Sequence, residues 1–201
     1  MILAAAVGLI LTTVDTYIYR FENPRFEVSC IEVRIKSSGE GAVSYLSKGE
    51  ETVERIVVPQ TTLQRLKAIV SEMDFLDNAV EYDVGKHLEH MGVTIIRIES
   101  LGRSREVRFH YTSDKAMTRL VELFRSIETQ CRRMKELSFA RQYAQLDLPR
   151  CLKLLENDLR ARKIAEPQQL VPLLEEISLD DSIPLIARNA ATKLVALIRG
   201  N

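Results

Sequence analysis

The sequence predicts an α+β protein in which an antiparallel sheet precedes a helical carboxyl-terminal half. Residues 1–14 are apolar and carry no charged side chain, and residues 31–112 contain short segments in which apolar and polar side chains alternate. From residue 114 onward, apolar side chains recur instead at intervals of three and four. Alternation is typical of strands with one exposed face, and the longer interval is typical of amphipathic helices.

The composition excludes several classes of protein. Of 201 residues, 46% are hydrophobic, 8 are glycine and 6 are proline, so the chain is neither collagen-like nor wholly disordered. Lysine plus arginine and aspartate plus glutamate both number 28, which gives a formal net charge of zero. Because proteins that neutralise phosphates carry excess positive charge, we expect no nucleic acid partner.

The first element is an apolar amino-terminal segment, residues 1–20, in which residues 2–19 predict an uncleaved membrane-anchoring helix. Counted to Tyr19, a helix reaches about 28 Å, close to a hydrocarbon core of about 30 Å. Aromatic and charged side chains then lie where the helix leaves the lipid bilayer. The predicted membrane-interface residues are Asp15, Tyr17, Tyr19, Arg20 and Arg25.

The residues on either side of this segment predict its orientation in the membrane and whether it is cleaved. Basic residues after the apolar run, Arg20, Arg25, Arg34 and Lys36, favour a cytoplasmic body. One alternative is a secretory signal peptide, since residues 1–14 alone reach only about 21 Å as a helix. Against it, no basic residue precedes the run and no small-x-small cleavage site follows it. The other alternative is a helix buried in the protein core.

A sheet domain is predicted over residues 26–113, after a short linker at residues 21–25, FENPR, where the proline ends any helix. In residues 31–36, isoleucine or valine alternates with a charged side chain. Five antiparallel strands are predicted, over residues 31–36, 42–48, 52–58, 93–100 and 105–112. A helix over residues 61–74 has one apolar face, which we expect to pack on the sheet.

A long connecting helix is predicted over residues 114–145, beginning at the capping residue Asp114. Its apolar stripe comprises Met117, Leu120, Phe124, Ile127, Cys131 and Met134. The same helix carries the densest run of basic residues in the chain. We predict contacts with a partner or with anionic lipid at Arg125, Arg132, Arg133 and Arg141, with a solvated helix face as the alternative.

The last segment, residues 146–201, is predicted to be a helical module. Within it, residues 149–163 predict one helix, and residues 166–199 predict two helices joined by an acidic turn. The order of LVPLLEEI, the acidic turn, Pro184 and IARNAATKLVALI resembles one HEAT-type repeat, over about 35 residues. Its small-residue face is formed by Ala187, Ala190 and Ala191. The resemblance implies helix-pair packing and protein binding, and it implies no catalysis.

Residues of the types that act in catalysis or bind metals form no recognisable motif. Cys30, Cys131 and Cys151 are odd in number and widely spaced, so they predict free thiols, which favour a reducing compartment. His87 and His90 are three residues apart and match neither zinc-protease helical motif, so they predict exposed loop side chains. We therefore expect no catalytic residue, metal or cofactor.

Together these features predict a non-catalytic, membrane-anchored accessory or scaffold subunit. Such a subunit binds and stabilises a larger membrane protein complex, for example a bioenergetic one. The expected partners are the other subunits of that complex and the lipid bilayer, through residues 2–19. The alternative is a secreted or periplasmic binding domain whose apolar terminus is a signal sequence.

Overall fold

The structure of the protein is a computed structural model that describes residues 15–84 and 88–200. The strands are β1 (Thr16–Glu22), β2 (Val28–Lys36), β3 (Glu40–Ser47), β4 (Glu50–Val57), β5 (Val93–Ser100) and β6 (Arg103–Phe109). The helices are α1 (Gln60–Glu72), α2 (Lys115–Tyr143), α3 (Leu148–Arg160), α4 (Val171–Leu179) and α5 (Leu185–Arg199). Short 3₁₀ turns lie at Glu89–Met91, Gln145–Asp147 and Pro167–Leu170.

The strands form one antiparallel sheet in the order β4-β3-β2-β1-β5-β6. The predicted α+β class is therefore confirmed, with six strands in the described residues where the sequence predicts five. Two-residue turns close the tight hairpins. At Lys48-Gly49 and at Leu101-Gly102 both residues have positive φ, which suits the right-handed twist of the flanking strands.

The additional strand is β1, and it corrects the prediction of a membrane-anchoring helix for residues 16–19. β1 lies inside the sheet, where it pairs with β2 on one side and with β5 on the other. Tyr17, Ile18 and Tyr19 are all buried, so both faces of the strand are apolar and alternation is lost. The predicted linker is also wrong at Phe21 and Glu22, which belong to the same strand.

The remainder of the predicted anchor, residues 2–14, lies outside the described residues. Within residues 15–84 and 88–200, no helix combines the length and the apolar character needed to cross a membrane.

One face of the sheet carries the first hydrophobic core, and α1 and α2 cover that face. The sheet contributes Tyr19, Val33 and Ile96 among others, and the two helices contribute Leu66 and Phe124. The Tyr19 and Phe124 rings stack with their centroids 5.6 Å apart. The predicted cap of α2 is confirmed, because Asp114 Oδ1 accepts a hydrogen bond from Met117 N at 2.7 Å.

Truncation of this core gives a direct stability test. Ile96 is fully buried and Phe109 is 4% exposed, on adjacent strands. We expect Ile96→Ala and Phe109→Ala each to lower the free energy of unfolding by about 2–5 kcal/mol, because each leaves a cavity. Chemical denaturation measures this loss. A loss below about 1 kcal/mol at both sites would contradict the strand phases.

The second core belongs to the helical module, formed by the second half of α2 with α3, α4 and α5. After Ile127 the buried side of α2 moves to Gln130, Arg133, Leu137 and Ala140. The predicted stripe is therefore interrupted, since Cys131 and Met134 are only half-buried. The reason is that α2 leaves the sheet at this point and packs on other helices.

The carboxyl-terminal helix pair is confirmed as α4 and α5, which are joined by residues 180–184. Ala187 and Ala191 are fully buried, so α5 approaches its neighbours closely along its small-residue face. Membership of this pair in a HEAT-type array stays a prediction.

Candidate partner-binding groove

An apolar groove of about 770 Å³ lies where the sheet domain meets the helical module. One wall is the end of β4 with the start of α1, and the opposite wall is the second half of α2. Residues 165–172 close one end. The apolar lining residues are Ile56, Val57, Val58, Pro59, Ile127, Cys131, Met134, Phe139, Tyr143, Ala165 and Pro172.

The rim of the groove exposes large apolar side chains. Val57 is 72% exposed, Phe139 is 60% exposed and Tyr143 is 68% exposed. Phe139 and Tyr143 are one helical turn apart, and their ring centroids are separated by 5.2 Å. Adjacent exposed aromatic and aliphatic side chains around a concave surface are typical of sites that bind another protein.

A chain of amide groups fixes the closed end of the groove. The buried side chain of Gln130 accepts a hydrogen bond from Glu166 N at 2.7 Å and donates one to Gln169 Oε1, also at 2.7 Å. Gln169 Nε2 in turn donates to the Val57 carbonyl at 3.2 Å. Because these bonds join α2, the loop after α3 and the end of β4, they hold the two walls in a fixed relation.

The two carboxylates that line the groove both have polar partners. Lys135 bonds to Glu54 across the mouth of the groove. Glu166 Oε1 accepts hydrogen bonds from both Thr61 and Thr62, the second at 2.6 Å. Since these carboxylates have partners, the groove presents apolar surface more than charge.

The thiol on the floor of the groove is weakly acidic. Burial, with Glu54 and Glu128 nearby, raises the pKa of Cys131 to about 11. The thiol is therefore protonated at neutral pH, whereas a nucleophilic cysteine needs its thiolate form. Burial and the same Glu128 also raise the pKa of Tyr45, whose hydroxyl donates to Glu128 Oε1 at 3.2 Å.

The predicted membrane-interface residues do not lie together. Tyr17 and Tyr19 are in the core of the sheet, 5% and 3% exposed, and this overturns their predicted position. Asp15 Oδ1 accepts a hydrogen bond from Ser100 Oγ at 2.7 Å, next to the start of β1. Arg20 and Arg25 are exposed, and Arg20 pairs with Glu22 at 2.7 Å.

The four arginines predicted to contact a partner or lipid also have separate environments. Arg133 is buried between α2 and α3, paired with Asp158 at 2.7 Å and Glu136 at 2.5 Å, so its predicted exposure is wrong. Arg132 pairs with Glu128 and Glu136, Arg141 pairs with Glu176 and Asp180, and Arg125 Nε donates to Tyr19 Oη at 3.3 Å. For Arg125, Arg132 and Arg141, a partner contact stays a prediction.

The histidine cluster is only partly described. His87 lies outside the described residues, and His90 is exposed. His110 Nδ1 lies 2.8 Å from the Gly92 carbonyl oxygen. In the described parts of the chain, no three His, Cys, Asp or Glu side chains are placed to hold a metal ion.

No protein-family model matches the sequence, and no curated protein is significantly similar to it.

Proposed function

We propose that this protein is a non-catalytic accessory subunit of a membrane protein complex, and that it binds an apolar segment of an integral membrane subunit in the groove beside α2. The observation that carries this proposal is the exposed pair Phe139 and Tyr143 at the rim of that groove. Exposed aromatic side chains on a helix contribute nothing to the core, whereas at interfaces aromatic anchors supply much of the binding energy.

The chemistry of the groove supports a binding role. Its floor is apolar, its carboxylates are paired, and its thiol is protonated at neutral pH. An apolar segment from a membrane subunit matches such a surface, because it buries the rim side chains without requiring a counter-charge. The resemblance of α4 and α5 to a HEAT-type repeat agrees with a protein-binding role.

Membrane attachment is proposed for residues 2–14, the apolar part of the predicted anchor that β1 does not include. As a helix these residues would reach only about 20 Å, less than a hydrocarbon core of about 30 Å, so we propose attachment without a complete span. Strand β1 begins at Thr16, which pairs with Lys36. The same end of the sheet carries Glu40 and Val57, so the groove lies at the end of the sheet where β1 begins. An anchor immediately before β1 would bring the groove close to the bilayer, which supports a partner that is itself embedded in the membrane.

In the alternative of a secreted protein, the position of β1 limits where a signal peptide could be cleaved. Cleavage after Thr16 would remove part of an interior strand that two neighbours require. A signal peptide would therefore have to end at or before Asp15. Amino-terminal sequencing of the native protein decides between the two proposals: a start at residue 1 or 2 supports the anchor, and a start near residue 15 supports secretion.

Groove variants test the binding role. We expect Phe139→Asp to abolish co-purification of the membrane subunit, because a carboxylate in the apolar contact cannot be desolvated cheaply. Leu101→Asp is a matched control, since Leu101 is 76% exposed in the β5–β6 turn, outside the groove. Equal loss of the partner in both variants, or no loss in either, would contradict the proposal.

A further inference from the structure

Strand β4 forms one edge of the sheet, and part of its outer side has backbone groups without hydrogen-bond partners in the described residues. The two-residue turn at Lys48-Gly49 makes Ser47 and Glu50 a hydrogen-bonded pair, so Glu51, Val53, Arg55 and Val57 direct their backbone groups away from β3. Of these four residues, only Val57 has a backbone partner in the described residues, the amide of Gln169. The free edge therefore comprises Glu51, Val53 and Arg55, with Val53 at its centre.

The two charged side chains of this edge lack ion-pair partners. Neither Glu51 nor Arg55 forms a salt bridge within the described residues, and both are exposed. Their side chains lie on the sheet face that the helices leave uncovered. Elsewhere on that face, arginines of β1, β2, β5 and β6 are paired with glutamates of their own strands.

We propose that β4 pairs antiparallel with β4 of a second copy of this chain, about a two-fold axis at Val53. The axis places Glu51 of each copy opposite Arg55 of the other, so two ion pairs form at once. Val53, which is 55% exposed, meets its own equivalent. The free backbone groups at all three positions become paired, and the two sheets join into one.

Neighbouring registers lack this match. Antiparallel pairing requires that outward-directed residues face each other, so the axis can move only to Thr52 or Glu54 near the centre. An axis at Thr52 places Glu51 opposite Val53 and leaves Arg55 opposite Gly49. An axis at Glu54 places Arg55 opposite Val53 and Glu51 opposite Val57, so neither charged side chain meets an opposite charge. The axis at Val53 is the one that pairs opposite charges.

This dimer goes beyond the proposed function, because it needs no membrane subunit. In the proposed register the pairing ends where Glu51 of the second copy meets Arg55, so it leaves the bond from Gln169 to the Val57 carbonyl in place.

Charge exchange on the full-length protein tests the register. Glu51→Arg and Arg55→Glu each place like charges opposite each other at two positions. We expect each substitution to weaken dimerisation at least about tenfold. The double variant Glu51→Arg with Arg55→Glu restores complementary pairs and should dimerise like the natural chain. An equimolar mixture of the two single variants should form heterodimers. Sedimentation velocity measures all four, and circular dichroism checks folding.

All these variants share residues 1–14, so differences among them report the β4 edge and not association through the apolar segment.

A cysteine cross-link tests the same register without changing any charge. Opposed hydrogen-bonded residues have Cα atoms about 5.5 Å apart, within disulfide range, so Val53→Cys should give a covalent dimer on mild oxidation. Lys67→Cys, on the exposed side of α1, is the matched control and should not.

Three results would overturn the dimer. The first is a natural chain that stays monomeric at high micromolar concentration. The second is a dimer that neither single charge variant weakens. The third is a Val53→Cys protein that forms no more covalent dimer than Lys67→Cys does.

Discussion

A chain that begins at Asn23, and so lacks β1, is expected to lose cooperative unfolding altogether. β1 supplies the interior pairing partner of both β2 and β5, from Thr16 to Glu22. It also contributes Tyr17 and Tyr19 to the first core, where Tyr19 stacks on Phe124 of α2. Without it, β2 and β5 lose backbone hydrogen bonds that no other strand replaces, and buried polar groups without partners are costly.

The matched control for this truncation begins at Asp15. That chain keeps every contact described above, including the Asp15 carbonyl that accepts from Ser37 N at 2.8 Å. The difference between the two truncated chains therefore reports β1 alone. Urea denaturation followed by circular dichroism measures it. If the chain from Asn23 unfolds with the same midpoint and slope as the chain from Asp15, the assignment of residues 16–22 to the sheet is wrong.

The second large effect is expected at Arg133. Its guanidinium bonds to Asp158 Oδ2 at 2.7 Å and to Glu136 Oε2 at 2.5 Å, between α2 and α3. Replacing it with methionine leaves Asp158 largely buried without its cation. Removing one partner of a buried pair costs about 3–5 kcal/mol, so we expect Arg133→Met to destabilise the helical module by that amount.

Arg160 provides the control, because it pairs with Glu156 one turn earlier in α3 and both side chains are more exposed than those of the buried pair, at 65% and 26% against 10% and 16%. Exposed helix ion pairs contribute less than about 1 kcal/mol, and Glu156 keeps Lys153 as a second partner, so Arg160→Met should have a small effect on the free energy of unfolding. Adding Asp158→Leu to Arg133→Met should recover part of the lost stability, since the orphaned charge is removed. Equal losses for Arg160→Met and Arg133→Met would contradict the buried pair.

Elements with one exposed face were predictable from the sequence. The alternation of Ile31, Val33 and Ile35 with charged residues defines β2, and Asp114 marks the start of α2. β1 was not predictable in the same way. It is buried on both faces, so TYIY continues the apolar run of residues 1–14 without a change of period, and hydropathy alone cannot separate a buried strand from a membrane segment.

The candidate groove depends on tertiary contacts that no local pattern contains. Its walls come from β4, α2 and residues 165–172, and Gln130 links them through side-chain amides. One local signal was present. Phe139 and Tyr143 lie on α2 away from its apolar stripe, and aromatic residues off the stripe of an amphipathic helix indicate a second contact surface. The exposure of Arg133 was mispredicted because charge alone does not show which arginine meets a buried carboxylate.

The central claim, that the groove holds an integral membrane subunit, is tested most directly by site-specific photo-crosslinking in native membranes. A photoreactive phenylalanine derivative at Tyr143 lies at the rim of the groove, and the same group at Arg65, on the exposed side of α1, is the control. We predict one cross-linked integral membrane protein from Tyr143 that is absent from Arg65 and lost when Phe139→Asp is added. Cross-links from Tyr143 only to soluble proteins, only to a second copy of this chain, or equally from Arg65 would contradict the account.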